Sequence, residues 1–235
     1  MNIERYKIEG VTATTYACGY PQAVALKTKL VELGFSCTSV TDTYSNGYEG
    51  TFTAVINSEF AIYFVCNGSN NTDGPSMQVK GNGSDLGAQI TCNGYVDSLN
   101  HVSYLNIIKT DDILLIGFSD YNDAAYKFDL MFLDYDGVHT CTWLPTTNTP
   151  LTLYDVSGAV KATYNDMYNI AIPDVDKGLF RSFLITKNDG FVDMININPH
   201  FYNVSTGFPF TYDLPVLING VKFLPLNDYT LLKLE

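Results

Sequence analysis

"TFTAVINSEFAIYFVC", residues 51–66, holds two consecutive strand-like runs, and its reading sets the fold class. Phe52, Ala54 and Ile56 alternate with Thr53 and Val55. That period of two sends successive side chains to opposite faces of a strand. In the second run Phe60, Ile62 and Phe64 share one face while Ala61, Tyr63 and Val65 share the other. Apolar residues on both faces predict a strand in the middle of a covered sheet. The stretch points to a β-rich core.

Composition agrees. Apolar residues make up 46 % of the 235, and charged residues only 16 %, below the roughly 25 % of ordinary soluble domains. Seventeen tyrosines and fourteen phenylalanines, with many Asn, Thr and Gly, suit pleated sheets with polar but uncharged surfaces. The chain is long enough to bury a core without metals or disulfides and too apolar for intrinsic disorder.

The same alternation continues downstream. "VSYLNII", "DILLIGF" and "AYKFDLMFLD" follow one another from residue 102, and Tyr126, Phe128, Leu130 and Phe132 are expected to form one face of the last. Asp136-Gly137, Ser157-Gly158, Asp189-Gly190 and Asn219-Gly220 each separate two apolar runs. These dipeptides tolerate positive φ and predict four hairpins. Val160, Tyr164, Met167, Tyr168 and Ala171 also fit a helical stripe; a hairpin followed by a short helical turn is the favoured reading of that stretch.

One segment breaks the β pattern. In "YPQAVALKTKLVELG", residues 20–34, Ala23, Leu26, Leu30 and Leu33 recur at steps of three and four, which predicts a helix with one apolar stripe for a sheet. Pro21 suits the first helical position and Gly34 a left-handed C-cap. A short strand within "YKIEGVTATTY" before the helix suggests a β-α-β opening. The fold class is therefore α+β, predominantly antiparallel β, sandwich or barrel-like, with one N-terminal helix packed on a sheet. Residues 1–235 read as a single β-rich unit, with a possible subdivision into a mixed α/β part (1–108) and a β part (109–235).

The polar stretch "FVCNGSNNTDGPSMQVKGNGSDLGAQITCNGY", residues 64–95, contains Asn-Gly and Asp-Gly turn signals around two short strand-like runs. It reads as a pair of edge hairpins. Its sequons at Asn67, Asn70 and Asn82, with a fourth at Asn203, are what a chain rich in Asn, Ser and Thr produces by chance. "GNGSDLG" lacks the lysine and helix of a phosphate loop and reads as a turn.

Candidate chemistry is sparse. The five cysteines (Cys18, Cys37, Cys66, Cys92, Cys141) show no C-x-x-C spacing and are expected to stay reduced; Cys66 and Cys92 would meet if their strands paired across the loop. His139 and Cys141 share a strand face, whereas a thiolate nucleophile needs a base within hydrogen-bond reach. His101 and His200 are isolated. Asp134, Asp136 and Gly137, with Asp120, Asn122 and Asp123, could offer oxygens to calcium but fall short of an EF-hand loop. Asp111-Asp112 is a carboxylate pair of unknown separation, and Trp143 is a possible sugar platform. No catalytic, cofactor-binding or metal-ligating residue is assigned, no cofactor is expected, and the chain reads as no enzyme.

Net charge is −12 with a pI near 4.4. Thirteen scattered basic residues offer no patch to neutralise phosphates, so specific nucleic-acid binding is not expected. An acidic surface serves solubility, or the lining of a channel through which DNA slides. No apolar run approaches the ~18 residues of a membrane span, so no membrane insertion is expected, and "MNIERYKIEG" lacks the apolar core of a secretory signal.

The final segment "GFPFTYDLPVLINGVKFLPLNDYTLLKLE", residues 207–235, ends in a hairpin and a last strand. With the Asn/Tyr/Thr-rich, Lys-poor composition it resembles structural proteins of bacteriophage virions, particularly tail, neck and baseplate components. The resemblance implies a non-enzymatic subunit of the virion that assembles with copies of itself and with other virion proteins. It transfers no functional residue. A carbohydrate- or host-surface-binding module is the alternative.

Overall fold

The protein is seen here as a computed structural model that describes residues 1–9, 19–67, 75–91, 102–120, 126–135, 137–144, 152–164, 173–174, 179–180, 183–187, 192–195, 201–204, 214–218, 220–226 and 230–234. The chain begins β1 (Glu4–Glu9), α1 (Gly19–Glu32), β2 (Ser36–Cys37), β3 (Thr41–Asp42), β4 (Glu49–Val55), β5 (Phe60–Asn67), β6 (Ser76–Gly81) and β7 (Ser84–Thr91). It continues through β8 (Val102–Lys109), β9 (Ile113–Asp120), β10 (Leu130–Tyr135), β11 (Val138–Trp143), β12 (Thr152–Tyr154) and β13 (Val160–Tyr164). Short strands follow: β14 (Pro173–Asp174), β15 (Leu179–Phe180), β16 (Phe183–Lys187), β17 (Val192–Ile195) and β18 (Phe201–Val204). The last are β19 (Val216–Ile218), β20 (Val221–Pro225) and β21 (Thr230–Lys233).

These strands make three antiparallel sheets. The largest has nine, in the order β1-β8-β9-β10-β11-β12-β13-β16-β17. A second runs β2-β4-β5-β6-β7 with β3 also on β4, and a third runs β14-β15-β18-β21-β20-β19. The class is α+β, mostly antiparallel β, with a helix near the N-terminus packed on the sheets. All four turn dipeptides join strands that pair: β10 with β11, β12 with β13, β16 with β17 and β19 with β20. Residues on both sides of position 109 enter the nine-stranded sheet, since β8 and β9 pair along seven positions from Ser103↔Asp120 to Lys109↔Leu114.

The nine-stranded sheet is the middle layer. One core holds Leu105, Ile107, Leu114, Ile116, Phe118, Leu130, Phe132 and Cys141 from that sheet. They meet Phe52, Phe60, Ile62, Phe64, Met77 and Val79 of the second sheet and Ala23, Leu26 and Leu30 of α1. A separate core holds Ile108, Ile113, Leu115, Met131, Leu133 and Leu153 with Leu224, Leu226, Leu232 and Leu234 at the C-terminal sheet. Alternate residues of β8, β9 and β10 thus feed opposite cores, as strand pleating requires. The amino group of Met1 donates to the carbonyl of Leu234, at the second core.

Full two-sided burial therefore belongs to "ILLIGF" in β9, and β5 differs from expectation. Phe60, Ile62 and Phe64 are buried, but Ala61, Tyr63 and Val65 are only half-buried. Strand β5 does lie between β4 and β6, in an outer layer with one face on the core.

The strand expected to present Tyr126, Phe128, Leu130 and Phe132 on one face is also shorter. Strand β10 starts at Leu130; Tyr126 and Phe128 pack in the second core, while Leu130 and Phe132 pack in the first. Residues 126–129 cross the face of the sheet at Gly117, where a Cβ would lie 2.5 Å from the Lys127 carbonyl oxygen and the Phe128 Cα. The crossing is held by the Asn106 amide donating to the Lys127 carbonyl (3.1 Å) and Phe118 N–H donating to the Asp129 carboxylate (3.1 Å).

Helix α1 begins two residues before Pro21, which falls in the first turn, where amide groups have no helical acceptor. It ends in a Schellman motif: Phe35 N–H bonds the Leu30 carbonyl (3.0 Å) and Gly34 N–H the Val31 carbonyl (3.0 Å), with Gly34 at φ 89°. Ala23, Leu26 and Leu30 are buried and Leu33 partly so, as the stripe predicts. The β-α-β opening is corrected: β1 pairs antiparallel with β8, and β2 lies in a different sheet on β4. The helix spans two sheets, with no parallel crossover between the strands that flank it.

Of the expected pair of edge hairpins, the described residues show one at the sheet edge, β6 with β7, while β5 and β6 pair further in. Asn82 (φ 48°) and Gly83 (φ 83°) both take the left-handed conformation and turn β6 into the edge strand β7. The residues at 68–74, 92–101 and 165–172, including the expected helical turn before Pro173, lie outside the described residues.

Helix α1 rests directly on the β4 backbone. A Cβ at Gly50 would lie 2.6 Å from the Ala23 Cβ and 2.7 Å from the Tyr20 Cα. Gly50→Ala is expected to cost about 1–3 kcal/mol of stability by overpacking, read as a lower urea midpoint. An unchanged midpoint would mean the helix does not sit on β4 at this point.

Candidate functional site

The sequence-predicted reactive residues are dispersed. His139 is half-buried on β11, paired across the hairpin with Asp134, while Cys141 is fully buried in the first core. Burial, reinforced by the negative charge of Asp155, pushes the Cys141 thiol up to about 12. A thiol so placed is not a nucleophile at neutral pH. Burial also pushes the Cys66 thiol far above its ordinary value, and the half-buried Cys37 thiol is raised by burial against the opposing pull of Lys27.

Cys37, Cys66 and Cys141 are free thiols. Cys92 lies outside the described residues, but the imagined pairing of its strand with that of Cys66 is not made: β6 lies between β5 and β7. Cys18, His101, His200, Asn122, Asp123 and Asp136 also fall outside. Asp134 is exposed on β10, Gly137 turns at φ 72°, and Asp120 ends β9. Among the described residues no three His, Cys, Asp or Glu side chains group as metal ligands.

Asp111 and Asp112 are exposed in the β8–β9 turn, closed by Thr110 N–H on the Ile113 carbonyl and Ile113 N–H on the Thr110 hydroxyl. Trp143 is a packing residue. It meets Tyr154 edge-on at 5.2 Å, and its ring covers Gly87 of β7, where a Cβ would lie 2.8 Å away. It ties the central sheet to the second sheet.

One carboxylate with several donors is structural. Asp155 Oδ1 accepts from Ser157 N–H (2.9 Å), Ser157 Oγ (2.6 Å) and Ala159 N–H (3.1 Å), and Lys161 Nζ lies 3.5 Å from Oδ2. Burial alone would raise its pKa, but the Ser157 and Ala159 donors and the Lys161 charge outweigh it and leave it below the ordinary value. It organises the β12–β13 turn.

What the surface offers is contact. Leu217 on β19 is 75 % exposed, the most exposed of the large apolar side chains described. Strand β19 is the last strand of the C-terminal sheet and reads Val-Leu-Ile, without a charge. Across from it, Leu217 pairs with Lys222. Between β2 and β3, Thr38 keeps contact with β4: Thr38 N–H bonds the Thr53 carbonyl, and Thr53 N–H returns to the Thr38 hydroxyl. Val24 and Val31 are exposed on the outer side of α1, with Thr28 between them bonded back to the Val24 carbonyl (2.8 Å). Tyr44 is exposed and meets Tyr48 edge-on at 5.9 Å. The exposure of Leu217 was not singled out from sequence; the available signal was the uncharged "VLI" between Pro215 and the Asn219-Gly220 turn.

Against protein-family models, curated proteins and solved structures, the chain has no match. Among the described residues no helix is long and apolar enough to cross a membrane.

Because the folded Asp155 pKa is depressed, its contribution is present above the ordinary Asp value and is lost as pH falls through the depressed one. Asp155→Ala should cost about 1–3 kcal/mol at neutral pH, since hydrogen bonds to a charged group are lost. The gap from the parent protein should narrow in denaturant titrations below pH ~4. A gap that stays constant into acid would contradict this role.

Proposed function

We propose that the protein is a non-enzymatic structural subunit of a bacteriophage particle, a tail, neck or baseplate component. It assembles through sheet edges and neutral surface patches with copies of itself and with other virion proteins. The observation that carries this reading is β19: an uncharged edge strand with Leu217 three-quarters exposed. Soluble proteins guard exposed edges with Lys, Pro or bulges when nothing covers them, and the described residues Val216–Ile218 themselves carry none of these. Strand addition from a neighbour uses such an apolar edge. Support for placement in a virion comes from the composition and the style of the C-terminal segment. Trp143 lends no support to the carbohydrate-binding alternative, because its ring is used in packing against Tyr154 and Gly87.

Sedimentation velocity tests the proposal. The purified protein should self-associate at micromolar concentration, or associate with its co-expressed particle proteins. Burying one leucine is worth about 2 kcal/mol, so Leu217→Lys should weaken that association about tenfold or more while leaving the circular dichroism spectrum unchanged. A stable monomer that joins no particle component, or association indifferent to Leu217→Lys, would contradict it.

A further inference from the structure

The hairpin β19–β20 fixes which way the edge strand turns its backbone. Ile218 lies opposite Val221, so Asn219-Gly220 is a two-residue connection, and Leu217 lies opposite Lys222. The Lys222 carbonyl accepts from Leu234 N–H at 2.9 Å, just past the end of β21. Lys222 therefore turns its backbone groups away from β19, which makes Leu217 and Lys222 a pair with no hydrogen bonds between them. In such a pair the opposite residue also points its N–H and C=O outward, so those of Leu217 face the open edge.

The side chains follow the same parity. Leu217 and Lys222 stand on the face of the sheet that carries Leu224 into the second core. Val216 and Ile218 pack on the other face with Phe223, Val221 and Leu231. Leu224 is fully buried whereas Leu217 is 75 % exposed. The apolar face runs on to the edge, and its cover does not.

Three features select what covers it. A single residue offers both a donor and an acceptor, the set that two antiparallel copies exchange when that residue of each lies beside a twofold axis. Pro215, just before the strand, has no N–H, so a longer foreign strand finds no continuous ladder here. Val216–Ile218 carry no charge in a chain of net charge −12, so two copies meet here without setting like charges directly against each other.

We propose that β19 pairs with β19 of a second copy, antiparallel about a twofold axis at Leu217. Leu217 N–H of each copy donates to the Leu217 carbonyl of the other, and Val216 lies opposite Ile218 of the second copy. The two C-terminal sheets become one, and the two Leu217 side chains meet on the core face with Lys222 of each copy on either side. This rests on the reading of β19 as an assembly edge and adds the partner, the symmetry and the register.

Sedimentation equilibrium at low salt on the parent, Leu217→Lys, Leu217→Glu and their mixtures is the test, with unchanged circular dichroism as the control for folding. The parent should dimerise with a Kd on the order of 10 µM, weak because the contact is short. Leu217→Lys alone should dimerise at least about tenfold more weakly, since like charges directly opposite each other repel. An equimolar mixture of Leu217→Lys and Leu217→Glu should recover a heterodimer at least about fivefold tighter than either variant forms alone, because opposite charges then face each other. Failure of that mixture to recover the dimer would overturn the pairing. So would Leu217→Lys binding the parent as tightly as the parent binds itself, which would place Leu217 against a different surface of the second copy and leave the assembly edge standing. A parent that stays monomeric, yet joins a co-expressed particle protein in a Leu217-dependent way, would likewise overturn the pairing alone.

Discussion

Burial of β9 on both faces is the constraint from which the rest of the architecture follows. Leu114, Ile116 and Phe118 enter the core beneath the second sheet and α1, while Ile113 and Leu115 enter the core beneath the C-terminal sheet. Because strand side chains alternate strictly, shifting this strand by one residue would exchange its contributions to the two cores. Strands β8 and β10 follow the same parity, with Ile107 against Ile108 and Phe132 against Leu133. A sheet apolar on both sides needs two covering layers, and the chain supplies them from its first and last thirds.

The polar residues inside this middle layer mark the point where parity is interrupted. Asn106 and Ser119 are fully buried and bonded to each other at 2.9 Å, and Asn106 also holds the Lys127 carbonyl. Gly117 lets the 126–129 segment cross over the sheet before β10 begins. An apolar side chain at Asn106 would leave the Lys127 carbonyl without this donor, and buried polar groups left unpaired are costly. The same segment brings Tyr126 near Arg5, whose guanidinium carbon also lies 4.0 Å from the Tyr104 ring centroid. Aromatic residues therefore organise the interior and seat the few cations, and Leu217, Val24, Val31 and Tyr44 remain for contact at the surface.

Much of this was legible in the residue pattern, for identifiable reasons. The helix at 19–32 announced itself because its stripe and its terminal glycine act locally. The turn dipeptides worked because positive φ, taken by Gly137, Gly158 and Gly220, is a local demand that few residues meet. What failed was non-local. Two apolar faces in β5 did not reveal that one of them is only half-covered, because that depends on which layer lies outside. Tyr126 and Phe128 kept the period of Leu130 and Phe132, yet the crossing at Gly117 places the pairs in different cores. The strand–helix–strand order resembled a parallel unit, whereas the partner of β1 lies about a hundred residues downstream.

Amide hydrogen exchange by mass spectrometry addresses the central claim most directly. If β9 is the strand enclosed by both cores, peptides covering Ile113–Phe118 should exchange most slowly, approaching the rate set by global unfolding, with the paired stretches of β8 and β10 close behind. The edge strands β7 and β19 should exchange orders of magnitude faster. Exchange in β9 as fast as at those edges would contradict a middle layer sealed on both sides.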